Sequence, residues 1–157
     1  MKLSAKSDYA LRALFTLVDC YRGADSEPVP IRLIASRNDV PKRFLEHIMI
    51  EMREQGWVKS VAGREGGYLL AKPPHQITMG QVVRYFDGIL APIGCVSASH
   101  YRRCSQEPIC RFRRVLLNVR NYITTLMDRS TLAAVFTSAP VTRADVFDEA
   151  LLGGAGI

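Results

Sequence analysis

Three of the four cysteines in this 157-residue chain crowd one short segment, IGCVSASHYRRCSQEPICRFRR, with the spacing Cys95-x8-Cys104-x5-Cys110. In a reducing compartment, clustered thiols point to metal ligation or redox sensing rather than to structural disulfides. Thiolates are soft ligands that select zinc, copper(I) or iron-sulfur clusters. The segment lacks the C-x2-C pairs usual at structural zinc sites, which favours a cluster. A thiol switch without metal uses the same chemistry and stays open. Three adjacent thiolates repel one another, and Arg102, Arg103, Arg111, Arg113 and Arg114 offset that charge.

A cluster normally takes four protein ligands, so the three cysteines leave one to be found. Asp8, Cys20, His100 and a carboxylate such as Glu107 are candidates. Cys20 falls on the apolar face of the first helical run and reads better as a small core residue. Pro108 predicts that Cys110 lies in the first turn of a long helix, where unpaired amides and the helix dipole favour an anionic group.

A second set of reactive groups opens the run PKRFLEHIMIEMREQ. Phe44, Leu45 and Ile48 fit its buried side, which leaves Lys42, Arg43, Glu46 and His47 outward. Arg reads guanine in bidentate fashion and Glu accepts from cytosine N4, so Arg43 and Glu46 suit base reading. Lys59 and Arg64 flank a glycine-rich turn that lets the backbone approach a phosphate or minor groove. Tyr9 on the first helix completes the expected DNA-contacting set. A net charge of +6 and a pI near 9.4 suit a nucleic acid or another anionic surface.

The elements that must position these groups follow from periodicity and punctuation. Apolar residues at helical spacing run from Ser4 to Arg22 and stop at Gly23. IRLIASRN is a short helix, Asp39-Val40 a turn, and Pro41 the first residue of the next helix, closed by Gly56. Two helices joined by a tight turn, the second basic at its start, form a helix-turn-helix pattern. WVKSVA and YLLAK are strands around the turn GREGG, the wing. Thr78 caps a helix MGQVVRYFD that ends at Gly88. An irregular stretch follows to Pro108. From Ile109 to Met127 an apolar stripe of Phe112, Val115, Leu116, Val119, Tyr122, Ile123 and Leu126 wants a partner helix. Ser130 caps TLAAVF, and the tail beyond Pro140, ending in LLGGAGI, is expected to be poorly ordered.

The fold class expected is therefore mainly α (α+β), a winged helix-turn-helix with a long C-terminal dimerisation helix. Residues 1–75 form the DNA-binding domain, 76–136 the sensor loop and dimerisation helix, and 137–157 a flexible tail. Asp8, Arg12 and Asp19 interrupt the apolar start, which argues against a signal peptide, and no run approaches membrane-span length. A cytoplasmic protein is expected. It carries no paired acid and base and no substrate-pocket signature, so no enzyme is expected.

Taken together, MKLSAKSDYALRAL, FLEHIM, GWVKSVAGREGGYLLAKPP, ITMGQVV and the cysteine triplet before a long helix resemble the iron-sulfur-sensing regulators typified by IscR and NsrR. The resemblance covers most of the chain. It implies a homodimer with crossing long helices that binds palindromic promoter DNA. It also implies sensing of iron, nitric oxide or redox state through a [2Fe-2S] or [4Fe-4S] cluster. By position, Cys95, Cys104 and Cys110 match the family's cluster cysteines, Glu46 its base-reading glutamate, and His47 stands where glutamine is common. Three departures stand out. The Cys95 to Cys104 spacing is longer than in IscR. Arg113 stands where IscR-type members place a histidine ligand, and Ala62 replaces their minor-groove arginine. In NsrR-like members an aspartate from helix 1 of the other subunit ligates instead, and Asp8 matches it, ahead of a site with no fourth protein ligand and then of His100.

Overall fold

The computed structural model describes residues 2–147. Helix α1 (Ala5–Asp19) begins where the Ser4 hydroxyl accepts a hydrogen bond from the Ser7 amide, the contact that makes serine a favoured N-cap. It buries Ala10, Ala13, Leu14 and Leu17 completely or nearly so. Helices α2 (Ile31–Asn38) and α3 (Lys42–Glu54) follow. The turn between them rests on Asp39, which takes the left-handed conformation at φ 52°. Aspartate is one of the few non-glycine residues that enter this region readily. Pro41 stands one position ahead of α3 rather than at its first residue, and its carbonyl accepts from the Phe44 and Leu45 amides.

The wing is an antiparallel pair, β1 (Val58–Val61) and β2 (Gly67–Leu70), with Val58 opposite Leu70 and Val61 opposite Gly67. Val29 adds a third rung: its amide and carbonyl exchange hydrogen bonds of 2.9 Å each with Tyr68. This close approach requires Gly67, and the turn of the wing requires Gly66. A Cβ on Gly67 would strike the Val29 carbonyl, and one on Gly66 would strike the carbonyls of Val61 and Gly63.

Helix α4 (Met79–Asp87) opens with a reciprocal capping box between Thr78 and Gln81 and ends at Gly88. A short 3-10 turn over Gly94–Val96 interrupts the irregular stretch that follows. The long helix α5 (Arg113–Arg129), then α6 (Leu132–Phe136) and α7 (Arg143–Val146), complete the described elements. Ile77, Val82, Val83 and Leu132 pack into the same core as α1, α2 and α3. The base of α5 is bolted to α4. Arg84 Nη2 reaches both carboxylate oxygens of Asp128 at 2.7 Å, and the lack of a side chain at Gly80 lets Asp128 lie directly on α4.

Several local expectations are corrected. The long helix starts at Arg113, so Cys110 precedes it; Pro108 sits in the turn over residues 105–109 instead of opening the helix. Thr131, not Ser130, caps α6, while Ser130 ends α5 and bonds back to the Leu126 carbonyl. Phe44 is 40% exposed rather than buried. Part of the tail expected to be irregular forms α7, with a capping box between Thr142 and Asp145. The LLGGAGI end lies outside the described residues.

Candidate nucleic-acid interface and cysteine loop

The first turns of α3 present Lys42, Arg43 and His47 to solvent, with Glu46 half-buried among them. Lys42 Nζ lies 3.5 Å from Glu46 Oε1, and His47 Nδ1 lies 2.8 Å from the Arg43 carbonyl. These local contacts restrict the side chains without engaging the Arg43 guanidinium. Tyr9 packs edge-on against Phe44 at 5.7 Å between ring centroids, which explains why Phe44 stays near the surface. Arg12 lies over the Tyr9 ring and hydrogen-bonds the Asn38 carbonyl at the end of α2. Arg64 shares a groove with Lys42, while Lys59, one residue from Ser60 on β1, does not line it.

Asp8 is held in an ion pair on its own helix. Its two oxygens take Arg12 Nε at 3.0 Å and Nη2 at 2.8 Å, the i to i+4 ion pair of an exposed helix face.

The cysteine loop is built around two arginines of α5. Arg113 donates from Nε and Nη2 to the Cys95 carbonyl, and Arg120 donates from Nη1 to the Val96 carbonyl at 2.9 Å. Cys95 is buried, Cys110 half-buried and Cys104 exposed, and all are free thiols. Cys95 and Cys110 line one cleft of about 400 Å3 whose other walls include Arg113, Arg114 and Arg120.

Glu107 also lines this cleft. It accepts from the Tyr101 hydroxyl at 2.8 Å and the Cys104 amide at 3.2 Å, and lies 3.6 Å from Arg113 Nη2. The Tyr101 hydrogen bond, helped by Arg113 and Arg103, holds the Glu107 carboxyl below its ordinary range, and the same bond pushes the Tyr101 phenol up. His100 lies beside a neighbouring hollow with Asp87 and Arg102, its amide bonded to Ser97 Oγ.

Among the described residues no three His, Cys, Asp or Glu side chains are gathered closely enough to hold a metal ion. The donor set nevertheless fits an iron-sulfur cluster in its chemistry. The thiols are unpaired, two face one cleft, and the arginine walls suit an anionic group. The third thiol, Cys104, is exposed and does not line that cleft.

Sequence reasoning passed over Arg120, Tyr101 and the part Arg113 plays in holding Cys95. Arg113 stood out as one of the arginines offsetting thiolate charge and as a departure from a histidine, not as a holder of the Cys95 carbonyl, and nothing in the spacing marked Arg120.

The family model of Rrf2, described as an iron-dependent transcriptional regulator, matches residues 3–138. An rrf2-like HTH-type transcriptional regulator of Rhodobacter capsulatus is 41% identical over 83% of this chain and 89% of its own length. The HTH-type transcriptional regulator NsrR of Geobacillus kaustophilus is 33% identical over 85% and 88%. Among solved structures, CymR of B. subtilis, titled the global cysteine regulator, superposes with a TM-score of 0.73 at 26% identity, covering 89% of this chain and 99% of that one. IscR of T. potens does so with 0.66 at 28%, covering 90% and 94%. The fold expectation of a winged-helix regulator is met by these neighbours.

Proposed function

The chain belongs to the Rrf2 family of iron-dependent transcriptional regulators and is a DNA-binding transcription regulator, and from that premise we propose that it acts as a homodimer sensing iron, nitric oxide or redox state through an iron-sulfur cluster on Cys95, Cys104 and Cys110. In this reading Arg43 and Glu46 read base edges of a palindromic site, Lys42, His47 and Tyr9 support them, and Lys59 and Arg64 serve the wing. Asp8 from the partner protein chain completes the ligand set, with His100 as the alternative.

The observation that carries the sensing role is the double anchorage of the loop to α5. Arg113 and Arg120 hold the carbonyls of Cys95 and Val96, so a rearrangement of the loop is felt by the helix whose exposed stripe forms the dimer contact. The cluster, when bound, supplies a group that nitric oxide or oxygen destroys and iron shortage depletes. A differential stability of a few kcal/mol between two loop arrangements is enough to shift DNA affinity strongly.

Anaerobic purification followed by cluster reconstitution tests this. A brown protein with thiolate-to-iron absorption, lost in Cys104→Ala, supports the cluster. A colourless protein without iron overturns it and leaves the DNA-binding function intact.

A second reading, a thiol, zinc or small-metabolite switch without a cluster, draws on the separation of Cys104 from the cleft shared by Cys95 and Cys110. Elemental analysis of the same preparation separates zinc from iron and both from a metal-free switch.

A further inference from the structure

The carboxylate of Glu107 touches both arms of the cysteine loop. On one side it closes the turn that carries Cys104. Glu107 Oε1 accepts from the Cys104 amide at 3.2 Å, and the Glu107 amide donates to the Cys104 carbonyl at 3.2 Å. A glutamate that reaches back to the amide of the residue opening the turn is one half of a capping box. In a full box the opening side chain would engage the Glu107 amide; here the carbonyl does so, and the Cys104 thiol is left free. Tyr101 places its hydroxyl 2.8 Å from both carboxylate oxygens.

On the other side Glu107 Oε2 lies 3.6 Å from Arg113 Nη2, the same nitrogen that donates to the Cys95 carbonyl at 2.7 Å. The Cys95 turn is closed by the Val96 amide on the Ile93 carbonyl and the Ser97 amide on the Gly94 carbonyl. Among the ion pairs of the described residues, the Glu107 carboxylate is the most sheltered, with 16% of its side chain exposed. A sheltered pair is screened less by water and salt than the surface pairs of the other elements.

We propose that Glu107 is a positioning residue for assembly of the three-thiol site, coupling the Cys104 turn to Cys95 through Arg113 without itself ligating. The inference rests on the cluster reading and gives a different role to a residue that the sequence offered only as a candidate ligand. Ligation would break the bonds of Glu107 to Tyr101, the Cys104 amide and Arg113, whereas positioning uses all of them. A turn closed in advance leaves fewer backbone dihedrals to order when the third thiol joins the other two.

Two measurements test this. In metal-free, reduced protein, hydrogen exchange reads the amides of Cys104 and Ser97. Glu107→Ala is expected to speed exchange at both by about tenfold, a charged hydrogen bond expressed as a rate ratio. Glu107→Gln keeps an acceptor for Tyr101 and the Cys104 amide but not the charge facing Arg113, so it speeds Ser97 and spares Cys104. Anaerobic reconstitution with ferrous iron and sulfide then reads the iron concentration at which thiolate-to-iron absorption is half complete. Loss of a partner that orients metal ligands costs about 10–100-fold in affinity, and Glu107→Ala is expected to need that much more iron. The finished absorption spectrum stays as in wild type. Gln106→Ala, an exposed side chain on the same turn, behaves as wild type in both measurements.

Unchanged exchange at Ser97 in Glu107→Ala overturns the coupling to Cys95, and wild-type iron uptake in that variant overturns the assembly role. A shifted absorption spectrum makes Glu107 a ligand and overturns positioning. Equal losses in Gln106→Ala overturn it too, because any disturbance of the turn would then suffice. Should Glu107→Ala fail to fold, Glu107→Gln carries the same test at Ser97 and in iron uptake. A wild-type protein that takes up no iron overturns the cluster reading itself, and the assembly role with it.

Discussion

Arg113 and Cys95 are joined through the backbone: the guanidinium donates from Nε at 3.1 Å and from Nη2 at 2.7 Å to the Cys95 carbonyl, eighteen residues earlier in the chain. Hydrogen bonds from a charged donor contribute about 1.5–3 kcal/mol. Arg113→Ala is expected to free the 3-10 turn and expose the buried Cys95 thiol. Alkylation of Cys95, followed by mass spectrometry, should accelerate about tenfold or more, while the already exposed Cys104 reacts at its wild-type rate. Unchanged protection of Cys95 would show that the turn is held by other contacts.

Base reading by α3 makes a separate prediction. A bidentate contact discriminates against a wrong base by about 1–3 kcal/mol. Glu46→Ala and Arg43→Ala should each erode the preference for a selected duplex over a random one, while leaving the affinity for random DNA within a few-fold of wild type for Glu46→Ala. Competition binding measures this, and equal losses on both duplexes would assign the residue to general attraction instead.

Dimerisation through α5 is tested on its stripe. Among the 17 residues of this helix none is fully buried, and Val115 and Tyr122 are 60% and 71% exposed. Burying one such side chain stabilises a contact by about 1.5–3 kcal/mol. Val115→Asp and Tyr122→Glu should shift the protein toward monomers in sedimentation experiments, with the melting temperature of the wing and α1 core little altered. A dimer of undiminished stability would place the contact on another face.

The loss of stability on acidification has a contributor at Asp87. Partial burial pushes the Asp87 carboxyl up, but hydrogen bonds from Ser4 outweigh it and hold the group below its ordinary value of 3.8. Because the folded state favours the ionised form, the contribution is present above the unfolded value and is lost as pH falls through the lower folded value. Asp87→Asn should therefore be less stable than wild type at neutral pH, and the gap should close as pH drops below about 4. Urea unfolding at several pH values measures it; a gap independent of pH would point to packing rather than charge.

The elements legible in the sequence were those whose signals are local. Serine and threonine caps, the helical spacing of apolar residues and the glycine pair of the wing each act within a turn or two, and α1 through α4 and both strands appear near their expected places. Where a residue's role depends on a distant partner the signal failed. Phe44 stays at the surface because Tyr9, on another helix, packs beside it. Pro108 was taken for a helix start because proline suits both that position and a tight turn, and only the tertiary fold of the loop selects the turn. Arg113 and Arg120 bind carbonyls from a segment brought near by chain reversal, which no periodicity records. Of the cysteine site, the thiols and their arginine surroundings were readable. The arrangement that sets Cys104 apart from the other two was not.

The fastening of Asp128 to Arg84 and Gly80 gives α5 a hinge post at one end and leaves its other end tied to the cysteine turn. A helix of this length is roughly 25 Å long. Each degree of rotation about the post moves the far end by roughly 0.4 Å. In the proposed homodimer, ångström-scale shifts of the loop would correspond to a few degrees of tilt of α5, doubled between the two reading heads. Such a lever would need no deformation of the core that carries the heads, so the proposed sensing and the integrity of the fold would not compete.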